Sequence, residues 1–444
     1  MSELTEADPN VTSAAPVVGI SPERAEEHFR PRQPNTLKEA GLSPNDLESL
    51  LLKFILNVSN ATGRKAAEQI CMPFGIVQLA LAELKAQRFV QHRGAAEVSD
   101  YVYELTDTGI ARARHHLENS TYFGSAPVTL DDYCKSVNAQ SLRNYRVDVQ
   151  HLYDAFDGLS YEPILIVQVG QAINSGRGLF LYGPPGNGKT SVAERVMRAC
   201  SEEIWIPRTI SVTGELIRVF DPSYHELVEQ PRSESLLDES HDRRWVRIRR
   251  PTVVVGGELT MEHLEMSTSV ATGVNEAPVQ MKSNCGALVV DDFGRQRVGS
   301  TALLNRWIVP LEKGFDHLTL RSGRQIRVPF DQLLVFATNL EPKDVADEAF
   351  LRRMPFKVEM RSPNKEQFVE LLKQTCSRMK IECCDGAIER LLAVHYEGKN
   401  RPLRYCHPRD LLEQVRSFCE FQQIPLQLTE KTVDVAAYNY FAGL

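Results

Sequence analysis

Several signals that direct a chain to a membrane, to the secretory route or to a zinc site are missing from this sequence. No apolar stretch among its 444 residues approaches the length needed to span a bilayer, and the acidic N-terminus lacks the layout of a signal peptide. The nine cysteines are odd in number and scattered, and no C-x-x-C pair occurs among them. We therefore expect a protein of a reducing, cytoplasmic compartment, with no membrane insertion and no disulfide framework.

An excess of positive charge is missing as well. The formal net charge is −7, which argues against a general coat for nucleic acid, so any such contact is expected to be local. Apolar residues make up 42% of the chain and charged residues 25%, which is typical of globular proteins rather than of disordered ones. The length predicts two or three domains.

One short segment near the middle of the chain carries most of the functional information. An apolar run at 179–182 is followed by a glycine-rich turn, by Lys189 and Thr190, and then by a helix-like segment. Glycines let backbone N–H groups approach phosphate oxygens, and the start of the helix adds partial positive charge there. This phosphate-binding loop pattern places Lys189 on the β- and γ-phosphates and Thr190 on Mg²⁺. The nucleotide-binding residues predicted from it are Gly183, Pro184, Pro185, Gly186, Asn187, Gly188, Lys189, Thr190 and Ser191.

Two further apolar runs end in polar side chains. One run ends in Asp291 and Asp292, and the other ends in Asn339. An Asp at the carboxyl end of a buried strand, beside a phosphate loop, is a typical Mg²⁺ ligand, so Asp291 is predicted to share the metal with Thr190. Asp292 is placed to polarise an attacking water, and Asn339 to hold that water or the γ-phosphate.

Together these residues resemble the AAA+ ATPase superfamily, from about residue 147 to the C-terminus. The resemblance implies a P-loop, doubly wound parallel sheet of the α/β class, a C-terminal helical lid, and MgATP held between subunits of a homo-oligomeric ring, usually a hexamer. It also implies a trans-acting arginine, for which Arg353 is the first choice and Arg352 the second, and a lid arginine, matched by Arg409. Related ATPases carry Glu at the position of Asp292, so a slowly hydrolysing nucleotide switch is an alternative.

Two hairpin-like segments bear on the branch of the family. The segment at 317–329, just before the run that ends in Asn339, resembles a hairpin of the MoxR and magnesium-chelatase branch. The arginine-rich segment at 243–257 alternates like a second hairpin, with Trp245, Arg247 and Arg249 on one face. This second hairpin is interpreted either as a clamp for phosphates or as a solvated or intersubunit element. The acidic neighbours considered for the latter are Glu234, Asp238, Glu239 and Asp242.

The chain divides into five parts on these patterns. They are a disordered tail (1–35), a winged helix-turn-helix-like domain (36–120), a linker (121–145), an AAA+ nucleotide-binding domain (146–361) and a helical lid domain (362–444). The winged-helix resemblance depends on three predicted helices followed by two strand-like runs. The segment at 73–78, which corresponds to the start of a recognition helix, is mostly apolar, so docking of a protein is favoured over reading of DNA.

The resulting hypothesis is an ATPase that remodels or assembles an unknown protein client. The alternative is an ATP-dependent, DNA-associated protein whose winged helix binds duplex DNA.

Overall fold

The protein is described by a computed structural model over residues 29–96, 99–159, 161–200, 203–228, 241–269 and 272–442. No helix within these ranges is both long and apolar enough to cross a membrane. The architecture is mixed α/β, with a five-stranded parallel sheet whose strands come between an N-terminal and a C-terminal helical unit in the chain.

The N-terminal helical unit (residues 36–120) consists of helices that pack on a small antiparallel sheet. Its elements are α1 (Pro44–Asn57), β1 (Ala61–Thr62), α2 (Gly63–Gln69), α3 (Phe74–Ala86), β2 (Val90–Ala95), β3 (Tyr101–Leu105) and α4 (Asp107–Asn119). Ser43 caps α1 in a capping box with Asp46, and Thr106 caps α4. The strand order is β1-β3-β2. Three helices thus precede the two longer strands in the chain, with the two-residue strand β1 between α1 and α2.

Residues 29–35 and 121–145 are more ordered than we expected. The ring of Phe29 packs on Trp245, and the amide of Asp242 donates to the carbonyl of Pro31, so this end of the expected tail is docked. Residues 1–28 lie outside the described residues. The expected linker contains β4 (Val128–Thr129) and α5 (Leu130–Ala139), and Tyr133 of α5 is fully buried. The expected linker thus includes a helix whose apolar face completes a core formed by distant strands.

The nucleotide-binding region predicted at 146–361 contains most of the strands. Its elements are α6 (Val149–Ala155), α7 (Pro163–Ser175), β5 (Leu179–Tyr182), α8 (Lys189–Arg195), β6 (Glu203–Pro207), β7 (Thr209–Val212), β8 (Glu215–Arg218), β9 (Trp245–Arg249), β10 (Thr252–Val255), β11 (Ser267–Thr268), β12 (Asn275–Glu276), α9 (Val279–Lys282), β13 (Ala287–Val290), α10 (Ser300–Lys313), β14 (Phe315–Thr319), β15 (Gln325–Pro329), β16 (Leu333–Thr338), α11 (Pro342–Val345), α12 (Glu348–Leu351) and β17 (Phe356–Glu359).

The central sheet has five strands in the order β10-β13-β16-β5-β17, and every neighbouring pair is parallel. Its inner strands β13, β16 and β5 are buried on both faces except at Tyr182, as their continuous apolar runs predict. Apolar side chains of α6, α7 and α8 form a core with one set of strand residues, and those of α10 form a core with the alternating set. The carboxyl ends of all five strands meet at one edge.

Two further sheets have strand orders β11-β12-β8-β7-β4 and β6-β9. Strands β6 to β9 come from a β-rich insertion (residues 203–228 and 241–249), whereas β4, β11 and β12 come from outside it. The segment at 317–329 forms the predicted hairpin, β14 with β15. The arginine-rich segment at 243–257 does not form one, because β9 pairs with β6 whereas β10 joins the central sheet beside β13. Arg250, between β9 and β10, is buried and donates to the carbonyls of Gln140 and Cys285, so the chain passes from one sheet to another there.

The face predicted for the arginine-rich segment is exposed at its two arginines and buried at its tryptophan. Trp245 is buried beneath Phe29, whereas Arg247 and Arg249 are exposed. Arg247 pairs with Glu203 at 2.6 Å and Arg249 pairs with Glu226 at 3.2 Å. Asp242 pairs with Arg244. Glu234, Asp238 and Glu239 lie outside the described residues. These ion pairs within the chain favour the solvated-element interpretation over the phosphate clamp.

The C-terminal helical unit (residues 362–442) has its own apolar core. Its elements are α13 (Lys365–Met379), β18 (Glu382–Cys383), α14 (Ala387–Arg390), α15 (His407–Gln422), β19 (Gln427–Leu428) and α16 (Glu430–Phe441), with a π-helical turn at Leu391–Tyr396. Asn364 caps α13 and Thr429 caps α16, each through a capping box.

Candidate functional site

The register of the central sheet brings the predicted polar residues to one place. Strand β16 lies between β13 and β5, with Val290 opposite Phe336 and Thr338 opposite Tyr182. Asp291, Asn339 and Gly183 therefore follow three neighbouring strands at the same carboxyl edge, where open α/β sheets bind their ligands. A cleft of about 680 Å³ opens there. Among its lining residues are Pro185, Gly186, Asn187, Gly188, Lys189, Thr190, Ser191, Asp291, Asp292, Asn339 and Arg409.

The loop between β5 and α8 needs glycine for two separate reasons. Gly183 has a φ of 126°, and a Cβ there would lie 2.8 Å from the carbonyl oxygen of Met360. Gly186 has a φ of 77°, and a Cβ there would lie 2.6 Å from Sγ of Cys406 in the C-terminal helical unit. A side chain at either position is therefore opposed both by the left-handed backbone and by a close neighbour.

Lys189 lies inside this loop and is largely buried. Its Nζ donates to the carbonyl oxygens of Gly183 at 2.8 Å and Pro184 at 2.9 Å. Burial lowers the pKa of Lys189, and the nearby carboxylates of Asp291 and Asp292 oppose this change. Gly183 and Pro184 thus contribute carbonyls that orient the ammonium, while the rest of the loop lines the cleft.

Thr190 and Asp291 are in direct contact. The Thr190 hydroxyl donates to Oδ2 of Asp291 at 2.9 Å, and both side chains are partly exposed to the cleft. Hydroxyl and carboxylate oxygens are ligands that suit Mg²⁺, which is bound in proteins by few side chains together with phosphate oxygens and water. The two residues therefore fit a magnesium ion. Within the described part of the chain, no cluster of three or more His, Cys, Asp or Glu side chains forms a metal site.

Asp292 and Asn339 face each other across the cleft. Asn339 Nδ2 lies 3.5 Å from Oδ1 of Asp292, at the long limit of a hydrogen bond. The backbone of Asp292 is left-handed, with a φ of 48°, which Asp tolerates better than most residues. The side chain of Asp292 is exposed, so it is open to a water molecule.

The three predicted arginines differ in their surroundings. Arg409 lines the cleft but is exposed, and its guanidinium donates to Asp410 at 3.0 and 3.1 Å. Arg353 pairs with Glu312 on α10 at 3.1 Å, and Arg352 is exposed. Neither Arg352 nor Arg353 is among the residues that line the cleft. Their assignment to a neighbouring subunit stays a prediction.

Contacts between the loop and the C-terminal helical unit were not foreseen from the sequence. The amide of Cys406 donates to the carbonyl of Gly186 at 3.0 Å. Arg404 and Asn187 both donate to the hydroxyl of Ser362, at 2.7 and 3.2 Å. No local pattern marks these residues, because each contact joins positions far apart in the chain.

Comparison with known protein families gives a match to part of the C-terminal helical unit. A family model described as a domain of unknown function (DUF8689) matches residues 364–439, within the C-terminal helical unit. No curated protein matches the chain.

Similar solved structures include NtrX from Brucella abortus, with 14% identity and a TM-score of 0.39 over 64% of this chain and 56% of that one. NtrX in complex with ATP aligns with the same identity and TM-score over 75% and 64%. Thermotoga maritima RuvB, a Holliday junction branch migration motor, has 14% identity and a TM-score of 0.35 over 67% and 72%. The chain thus spans little more than half of the first NtrX structure.

Proposed function

We propose that this chain is an AAA+ ATPase that binds and hydrolyses MgATP between the subunits of a ring. The observation that supports this most directly is the meeting of Lys189, Thr190, Asp291 and Asn339 at one sheet edge, with Thr190 and Asp291 2.9 Å apart. A phosphate loop alone is a local pattern. Its combination with a carboxylate and an amide from two adjacent strands is what phosphoryl transfer requires.

Each group in the cleft has a role in this proposal. The loop amides and Lys189 Nζ bind the phosphates, and Thr190 and Asp291 hold Mg²⁺, which neutralises charge that develops on the phosphate oxygens. Asp292 and Asn339 orient the attacking water. Since Asp292 is one methylene shorter than the Glu of related ATPases, we propose slow turnover.

The remaining arginines complete the site in the assembled ring. Arg409 approaches the γ-phosphate from the C-terminal helical unit, which serves as the lid. Arg353, or else Arg352, acts from a neighbouring subunit, a role that agrees with their absence from the lining of the cleft in their own chain. The β14–β15 hairpin before β16 supports the MoxR-like branch.

We further propose that the winged-helix-like N-terminal unit recruits a protein client in the cytoplasm. Leu79 on α3 is 76% exposed, and it borders an apolar groove of about 280 Å³ between α1 and α3 with Leu47, Ile76 and Leu84. A helix that reads DNA presents polar and basic side chains instead. The exposed face of α3 thus supports docking of protein.

Replacement of Lys189 tests the site. Lys189→Ala is expected to abolish ATP binding or to lower turnover at least about hundredfold, because the side chain that neutralises the phosphates is lost. Binding and phosphate release are measured on the full chain with Mg²⁺. Lys365→Ala, which removes an exposed lysine of α13, is the control and is expected to behave as wild type.

Asp292→Asn in the same assays is expected to keep ATP binding and lose hydrolysis. Because this variant would stay in the ATP-bound state, it is also the one to use for capturing a bound client. Normal turnover in Lys189→Ala contradicts the assignment of the active site.

A further inference from the structure

We propose that Thr338 and Gln296 are positioning residues that fix Asp292 opposite Asn339, and so control the rate of ATP hydrolysis without contributing to ATP affinity. This inference rests on the proposed ATPase function. It concerns two side chains that are not among the residues lining the cleft.

Gln296 closes the turn that carries Asp292. Its Nε2 donates to the carbonyl of Asp291 at 2.8 Å, and its Oε1 accepts from the amide of Gly294 at 2.8 Å. The amide of Arg295 donates to the carbonyl of Asp292 at 3.0 Å within the same turn. The Gln296 side chain therefore links Asp291, directly before Asp292, to Gly294, two positions after Asp292.

Thr338 joins this turn to the neighbouring strand. It is fully buried, and its hydroxyl donates to the carbonyl of Phe293 at 2.7 Å and accepts from the amide of Leu340 at 3.2 Å. The amide of Phe293 donates to the carbonyl of Ala337 at 2.8 Å. The residue directly before Asn339 is thus bonded to the residue directly after Asp292.

These hydrogen bonds matter because the side chains of Asp292 and Asn339 are at the long limit of hydrogen-bonding distance. Asp292 and Asn339 are 3.5 Å apart, and in Asp only χ1 moves the carboxyl carbon whereas χ2 turns the carboxylate in place, so the side chain has little freedom to compensate for a shifted backbone. The left-handed Asp292 lies within the turn that Gln296 closes. A displacement of about 1 Å in catalytic geometry costs about a hundredfold in rate. Loss of either brace is therefore expected to reduce turnover.

The test uses substitutions that preserve shape and remove hydrogen bonds. Thr338→Val and Gln296→Met are expected to lower kcat about 10- to 100-fold, while Kd for ATP in the presence of Mg²⁺ changes by no more than about twofold. Thr338→Ser retains the hydroxyl and is expected to restore kcat to within about threefold of wild type. All are measured on the full chain, with the folded fraction determined by circular dichroism.

A matched control separates positioning from general stability. Thr432 on α16 is also buried, and its hydroxyl donates to the carbonyl of Gln427 at 3.0 Å, away from the cleft. Thr432→Val is expected to lower the unfolding temperature without changing kcat per folded molecule.

The inference is overturned if the wild type hydrolyses ATP and Thr338→Val keeps its kcat, if kcat and ATP affinity fall together, or if Thr338→Ser does not restore the rate. A wild-type chain that neither binds nor hydrolyses ATP instead contradicts the proposed function itself.

Discussion

The buried ion pair between Arg244 and Asp242 should hold the N-terminal helical unit against the β-rich insertion. Arg244 Nη1 donates to the carbonyls of Ala40 at 2.7 Å and Pro127 at 3.0 Å, and its Nε and Nη2 donate to the Asp242 carboxylate at 2.7–3.0 Å. Both side chains are almost fully buried. One guanidinium thus connects three segments that are far apart in the chain.

Removal of one partner leaves a charge buried without compensation. Asp242→Ala or Arg244→Met is therefore expected to destabilise this region by about 3–5 kcal/mol. The double variant is expected to cost less than the sum of the two single variants, by about 1–3 kcal/mol, because no unpaired charge remains. The ion pair between Arg247 of β9 and Glu203 of β6 provides the control. Its side chains are 43% and 27% exposed, so Glu203→Ala is expected to cost no more than about 1 kcal/mol.

Hydrogen exchange is the suitable assay, because a chain of several units need not unfold in one step. Peptides covering residues 36–45 and 120–130 report the two segments that Arg244 contacts. A loss of about 3 kcal/mol accelerates exchange through local opening by roughly a hundredfold. Equal and small effects of Asp242→Ala and Glu203→Ala would refute the reasoning that burial gives the first pair its importance.

Two further predictions concern subunit contacts and pH. Arg353→Ala is expected to bind ATP but to lose the rise of turnover with protein concentration, because we propose that the Arg353 guanidinium acts on the site of a neighbouring subunit. If only Arg352→Ala has this phenotype, the order of the two choices is wrong. Burial lowers the pKa of His407 to about 4, and the positive charge of Arg404 adds to this effect. Below pH 6.5, the ordinary pKa of histidine, the unfolded chain therefore binds this proton more readily than the folded chain does. The stability contribution of neutral His407 is therefore fully present above pH 6.5 and is lost as the pH falls towards 4. As the pH falls from 6.5 to 4, the thermal unfolding midpoint should decrease less steeply in His407→Gln than in wild type. Parallel plots of midpoint against pH for the two proteins would contradict the lowered pKa of His407.

The sequence alone was sufficient for the features that depend on neighbouring residues. The loop from Gly183 to Thr190 is recognisable because its glycines and the following helix determine the local backbone. Apolar runs that end in Asp291 and Asn339 predict strands whose polar ends share a sheet edge, and the parallel register places them there. The helices at each end of the chain were predictable from caps and apolar periodicity.

Tertiary structure decided the features that depend on residues distant in sequence. The arginine-rich segment divides between two sheets because its strands β9 and β10 pair with β6 and β13, which come from elsewhere in the chain. Trp245 is covered because Phe29, far away in sequence, packs on its ring. The expected linker became part of a core because Tyr133 finds its neighbours more than 70 residues away.

For the same reason, the sequence did not mark Thr338 and Gln296 as residues that support the site. A threonine near the end of an apolar run and a glutamine in a polar turn are ordinary in sequence. Only the pairing of β13 with β16 places the Thr338 hydroxyl on the carbonyl of Phe293, beside the turn that Gln296 closes. Residue type and local pattern predicted which groups enter the cleft, whereas the contacts between strands determine how those groups are held.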